Sequence, residues 1–196
     1  MLFRSIELTA TLMFSAMRNN DNVGLFLFTK DIEKFIPARK GRRHVLKLIS
    51  SLISHQPENK KTNIEKALSY VSNIIKKRGV VFIISDFYNQ DFAIPLKILK
   101  KKHDVIAIKV NDIRETEIPN VGLIQLEDEE TGEQLLVDTS NKRFRQNYAK
   151  LMDKEELRLK HLFNKHKVDT ISINTDNPYE LPLKRFFKIR QKRGIR

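Results

Sequence analysis

A chain of 196 residues, 40% of them hydrophobic and 31% charged, is long enough for one α/β domain with a sizeable core and too apolar to be disordered. It has no cysteine, which excludes a disulfide framework, a thiolate metal centre and a cysteine nucleophile. No apolar run reaches the roughly 18 residues of a membrane span, and the formal net charge of +13 points to a strongly solvated surface or an acidic partner.

Ile6, Leu8, Leu12, Met13, Ala16 and Met17 recur at helical spacing and predict a helix over 5–20, stopped by Asn19-Asn20-Asp21-Asn22. Arg4 is its only early cation, Glu7 interrupts its apolar part, and no cleavage site follows. It does not read as a signal peptide, and a cytoplasmic location is expected. Residues 23–28, VGLFLF, form a buried strand. Thr29-Lys30-Asp31 turns into a short strand over 32–36, ended by Pro37. Three connecting residues cannot make a parallel crossover, so the pair is antiparallel. Val45, Leu46, Leu48, Ile49, Leu52 and Ile53 make 42–54 an amphipathic helix. A polar loop with Pro57 leads to a second helix over 63–77.

The most informative segment is 78–87, RGVVFIISDF. Its unbroken β-branched and aromatic run predicts a strand buried on both faces, as in parallel sheets. Asp86 stands at its carboxyl end, where α/β sheets bind ligands. It fits either a turn cap or a metal or ligand group. A helix over 91–101, with Pro95 in its first turns, precedes a third buried strand at 104–110. A charged loop covers 112–119. Residues 122–127 and 133–138 predict a hairpin, 141–166 a long charged helix, 169–173 a short strand and 179–188 a last helix before a basic tail, 188–196. There is no internal repeat or linker, so one domain over 1–196 is expected. The alternation predicts an α/β fold, a mostly parallel sheet flanked by helices on both faces.

Cations cluster at Arg39, Lys40, Arg42, Arg43 and Lys47 and again from Lys184 to Arg196, while acids gather between Glu115 and Glu133. Such clusters are solvated faces or footprints of acidic partners. A nucleic-acid-binding protein is the alternative. It lacks a reader motif and an aromatic-lined basic strand face. His44, His55, His103, His161 and His166 lie on different elements and read as solvated, not as zinc ligands. No phosphate-binding glycine loop and no nucleophile elbow occurs. Asp112, Arg114 and Glu115 read as loop salt bridges. A non-enzymatic role is expected.

Several strings together resemble a bacterial family of von Willebrand factor A-like domains, domain of unknown function 58. They are FSAMRNNDNVGLFLFT (14–29), FIPARKGRRHVLKLI (35–49), TNIEKAL (62–68), VVFIISDF (80–87), HDVIAIKVNDIRE (103–115), IPNVGLIQLEDEETGEQLLVDTS (118–140) and NPYELPLKRFF (177–187). The resemblance implies a Rossmann-type, von Willebrand factor A-like fold and a protein-interaction role beside MoxR-type ATPases. It also implies a metal-ion-dependent adhesion site for magnesium. Thr62 matches that site's threonine and Asp86 its later aspartate. The D-x-S-x-S loop of the pattern has no counterpart, and Lys61-Thr62-Asn63 replaces its Gly-Thr-Asp. The chain is therefore expected to lack the first central strand, to be an N-terminally truncated form, and to hold an incomplete site. Magnesium is expected in a full-length protein and not in this chain. The missing strand would leave a gap between 23–28 and 79–85, open to strand exchange or self-association. Arg39, Lys40, Arg42 and Arg43 are the expected partner-binding residues.

Overall fold

The computed structural model describes residues 2–88, 91–112, 118–127 and 132–194. In chain order these form α1 (Leu2–Arg18), β1 (Val23–Phe28), β2 (Ile32–Arg39), α2 (Arg42–Ile53), α3 (Ile64–Ile74), β3 (Val80–Ser85), α4 (Ala93–Lys102), β4 (Asp104–Asn111), β5 (Leu123–Glu127), β6 (Gln134–Asp138), α5 (Lys142–Lys165), β7 (Asp169–Asn174) and α6 (Glu180–Lys192). The fold is α/β. The hairpin loop at 128–131 and the expected loop salt-bridge residues Arg114 and Glu115 lie outside the described residues.

The unbroken apolar runs do form the parallel core. Strands pair in the order β3-β4-β7, with Val80 opposite Asp104 and Ile106 opposite Asp169. Alternate residues of the middle strand face opposite ways. Val105 and Ala107 join a cluster with Ile64, Leu68, Leu96, Leu99 and Phe163, from α3, α4 and α5. Ile106 and Ile108 join Leu8, Ile171, Ile173 and Leu183, which brings in α1 and α6. Helices thus cover both faces, as the β-α alternation requires.

The expected single, mostly parallel sheet is divided. β1 pairs antiparallel with β2, β5 with β6, and neither pair joins the parallel strands. β1 has one edge on β2 and none on β3. β2 also runs past Pro37, which was expected to end it, to Arg39. As an outer strand it does not need the N–H that proline lacks. The ladder is irregular between Val23 and Leu25, and a Cβ on the intervening Gly24 would lie 3.1 Å from both Ala38 N and Ile36 O. That close backbone approach explains the glycine.

The last helix extends into the expected basic tail. α6 continues to Lys192, and Phe186 packs on the α1-side cluster while Phe187 meets Phe82 edge-on at 6.3 Å. Its cations do not all face outward. Arg190 is 5% exposed and forks to Asp104 and Asp169, the first residues of β4 and β7. Its guanidinium also lies over the Phe186 ring at 5.6 Å. One planar fork thus ties the last helix to two strand starts. Arg190→Ala should lower stability by about 2 kcal/mol, because it leaves the partly desolvated Asp169 without its cation and Asp104 with Lys100 alone. Lys188→Ala, at an exposed position of the same helix, should stay within about 0.5 kcal/mol. Urea unfolding of both variants checks this, and equal midpoints would show that the fork adds nothing.

Candidate functional site

Asn63 caps α3, accepting from Lys66 N at 2.8 Å, and its own N–H donates to Thr29 O at 2.9 Å, just beyond β1. α3 therefore starts beside the end of β1, and the rings of Phe26 and Tyr70 meet farther along at 6.1 Å. β3 follows the end of α3. Both strands run opposite to α3, so they are parallel to each other and their carboxyl ends lie together. An open cleft lies between them and runs on past residues of α1, α2, α3 and α6. Val23 to Phe28 line it without a gap, as do Val80 to Asp86. The expectation of a gap between these strands is met.

Thr62 and Asp86, the two residues matched to the adhesion site, both line the carboxyl end of this cleft. Asp86 is half-buried and locally engaged. Its Oδ1 accepts from Ser85 Oγ at 3.2 Å and from Tyr88 N at 3.3 Å, while Ser85 Oγ accepts from Phe87 N at 3.1 Å. Asp86 thus caps the turn and also lines the cleft. Phe87 is fully buried at φ 59°, an uncommon conformation for a bulky residue. Phe92 and Phe163 hold it, with ring centroids at 5.7 and 5.3 Å. Strain of this kind costs roughly 1–3 kcal/mol and persists where packing over-determines it.

A second carboxylate stands near the same end, without a signal in the sequence. The Glu33 side chain is 3% exposed and accepts from Thr29 Oγ1, from His55 Nε2 and from Glu58 N, the last at 2.9 Å. Burial alone would raise its pKa. The three hydrogen bonds and the His55 charge outweigh burial and hold the carboxyl below its ordinary 4.5. Glu33 thereby ties the loop between α2 and α3, which carries Thr62, to the start of β2. His55 is therefore not a solvated residue. Neither is His103, which is 2% exposed and whose pKa is lowered by burial.

The cationic residues Arg39, Lys40, Arg42 and Arg43 are exposed around Gly41, at the start of α2. Arg39 pairs with Val23, at the amino end of β1. Thr62 lies beyond the carboxyl end, six residues or about 20 Å away along the strand. The structure thus brings Thr62 and Asp86 to one end and places the basic group at the other.

Magnesium is the cation implied by the resemblance. A hydroxyl and a carboxylate are suitable hard oxygens, but octahedral magnesium draws on more donors. Among the described residues no group of three or more His, Asp or Glu side chains is placed to hold a metal. Thr62 and Asp86 by themselves offer two oxygens, fewer than an octahedral magnesium site draws on.

A parallel sheet with helices on both faces and a cleft at its edge defines a layered α/β domain. The chain belongs to the family described as "Protein of unknown function DUF58", whose profile matches residues 4–158. The uncharacterized protein Rv1480 of Mycobacterium tuberculosis is 27% identical over 131 residues, 65% of this chain and 41% of that protein. The chain thus spans less than half the length of that relative. The uncharacterized protein MAV169 of Mycobacterium avium is 26% identical over 165 residues, 82% of this chain and 96% of that one. Among solved structures, BatB from Bacteroides thetaiotaomicron matches with a TM-score of 0.58 and 17% identity, over 97% of this chain and 87% of that one. An aerotolerance-related membrane protein from Bacteroides fragilis matches at 0.52 and 18%, over 91% and 85%. Identities this low speak for the fold alone. Among the described residues no helix is long and apolar enough to cross a membrane.

The lowered Glu33 pKa fixes the sign of one pH effect. Its stabilisation is complete above the unfolded value of 4.5 and is lost as pH falls through the lower folded value. Glu33→Gln should cost about 1–3 kcal/mol at pH 7, and the gap to the unsubstituted protein should close below pH 4.5. Denaturant midpoints across pH measure it, and a gap that widens in acid would refute the assignment. Magnesium should bind no more tightly than about millimolar, since two ligand positions do not satisfy the ion. Micromolar binding by titration calorimetry, abolished in Asp86→Ala, would contradict this.

Proposed function

We propose that this chain is a non-enzymatic, cytoplasmic protein-interaction module of the von Willebrand factor A-like type, a partner of a MoxR-type ATPase. The observation that carries this reading is that Thr62 and Asp86 line the carboxyl end of one cleft. They are 24 positions apart in the chain and are the two residues that the adhesion-site pattern matches. In a longer form of the protein, further oxygen donors would join them around magnesium and leave one position for an acid of the partner. In this chain the pair serves as a polar rim.

The exposed Arg39, Lys40, Arg42 and Arg43 are the second contact. Exposed cations act mainly through long-range attraction, raising encounter rate and selecting acidic surfaces. Lying at the opposite end of β1, they let the partner grip the domain at two points. The likeness in fold to BatB is compatible with an interaction role and does not specify it.

The test is capture of the MoxR-type ATPase of the same genome on the immobilised chain, with ATP or ADP. Retention at low salt is expected, and the fourfold variant Arg39→Glu, Lys40→Glu, Arg42→Glu, Arg43→Glu should weaken it about tenfold or more. Failure to retain the ATPase with either nucleotide would overturn the reading. Retention of duplex DNA instead, falling steeply between about 50 and 200 mM salt, would favour the nucleic-acid alternative.

A further inference from the structure

The end of α3 farthest from Thr62 packs near a buried imidazole. His103 caps α4 with extended backbone, φ −132° and ψ 163°, and its N–H donates to Leu99 O at 2.9 Å. Side chains alternate along an extended chain, so His103 falls on the same face as Val105 and Ala107, the face covered by α3 and α4. It is 2% exposed, and Ser72, on the last turn of α3, is 3% exposed. Neither residue lines the cleft. Among the described residues, both His103 ring nitrogens and Ser72 Oγ are buried without a completed hydrogen bond.

A proton on this ring is poorly received. The carbonyl end of a helix favours a nearby cation, but Lys102 has taken that place, its Nζ donating to Ser72 O at 2.9 Å. The other charges at this end of the layer are Lys76 and Lys77 past α3, Lys100 on α4, Asp104 on β4, and Lys165 and His166 at the end of α5. Asp104 is the one acid among them, and Lys100 and Arg190 already bind it. Burial holds the His103 pKa below its ordinary 6.5, the Ile75 backbone opposes that shift and the Lys102 charge adds to it.

We infer that His103 is a pH-sensitive wedge at the end of α3. Neutral, it fills the space that α3, α4 and β4 enclose; protonated, it draws in water and releases α3. A helix of 11 residues is about 16 Å long and carries the change to its start, where Asn63 N–H donates to Thr29 O and Thr62 lines the cleft. β4, paired on both sides, stays in place. Acid thus loosens the helix that follows Thr62 before it opens the sheet. Because the folded pKa is depressed, the stability is intact above the unfolded value of 6.5 and is lost as pH falls below it. Glu33 acts in a separate window, below 4.5. The device stands apart from the interaction reading, since its parts are buried inside the fold.

The test uses the full chain. Imidazole NMR, with the His103 signal identified by its absence in His103→Leu or His103→Gln, should find the ring largely neutral at about pH 6. Between about pH 7.5 and 5, the unfolding equilibrium constant from urea midpoints should rise about tenfold more in the unsubstituted protein than in His103→Leu. His103→Gln, also uncharged, should match His103→Leu and replaces it if the leucine variant does not fold. At about pH 5.5, amide protection factors should fall in 64–75 before they fall in 104–110, and should hold in the variants. A ring that titrates at or above 6.5, the same pH slope in all three proteins, or equal loss of protection in α3 and β4 would overturn the inference.

Discussion

Two sheet fragments without a shared hydrogen bond are held side by side by helices, and everything else in this structure follows from that brace. α1 reaches both fragments. Its Leu8 is fully buried among Ile106, Ile108, Ile171 and Ile173 under the parallel strands. Met13, five residues or about 7.5 Å farther along, is buried with Leu25, Val45 and Leu48 under β1 and β2. On the opposite side Ile64, Leu68 and Val71 of α3 join Ile83 and Phe87, with Phe26 and Phe28 packed against them. Hydrophobic contact is non-directional, so it holds the fragments together without requiring that β1 and β3 touch. A ladder would have set their spacing at about 4.8 Å.

The polar groups are arranged by strand polarity. At the amino ends Arg190 joins Asp104 and Asp169, and exposed cations collect around the cleft mouth. At the carboxyl ends the hydroxyls of Thr29, Thr62 and Ser85 and the carboxylate of Asp86 gather, with Glu33 fastening the loop that presents Thr62. The strained Phe87 backbone keeps Asp86 at the end of β3, because its ring is locked between Phe92 and Phe163. One end of the cleft is thus rigid and polar, and the other is cationic and exposed.

Nearly every element was legible as a pattern. VGLFLF, VVFIIS and DVIAIKV announce strands by unbroken apolar runs, and the stripe from Ile64 to Val71 announces α3. The errors are local. Pro37 reads as a stop, but on an outer strand its missing N–H costs no ladder bond. The cations near the end of α6 read as outward-facing because they dominate the composition, although Arg190 turns inward to Asp104 and Asp169. Asp86 was found from its place after a buried strand, and Thr62 only through resemblance. The Glu33–His55 contact links residues 22 apart, with no periodicity to betray it.

What the sequence by itself determined is the set of elements, their order and the parallel core. These follow from local periodicity, β-branched runs and turn residues, which act over a few positions. Only the tertiary structure decided which edges remain unpaired, that Thr62 and Asp86 share one end while Arg39 to Arg43 stand at the other, and that one arginine of a basic helix turns inward. These depend on contacts between residues as far apart as 86 positions, as in Arg190 and Asp104. Such pairings are set by how helices pack across the sheets, and no short window of sequence contains them.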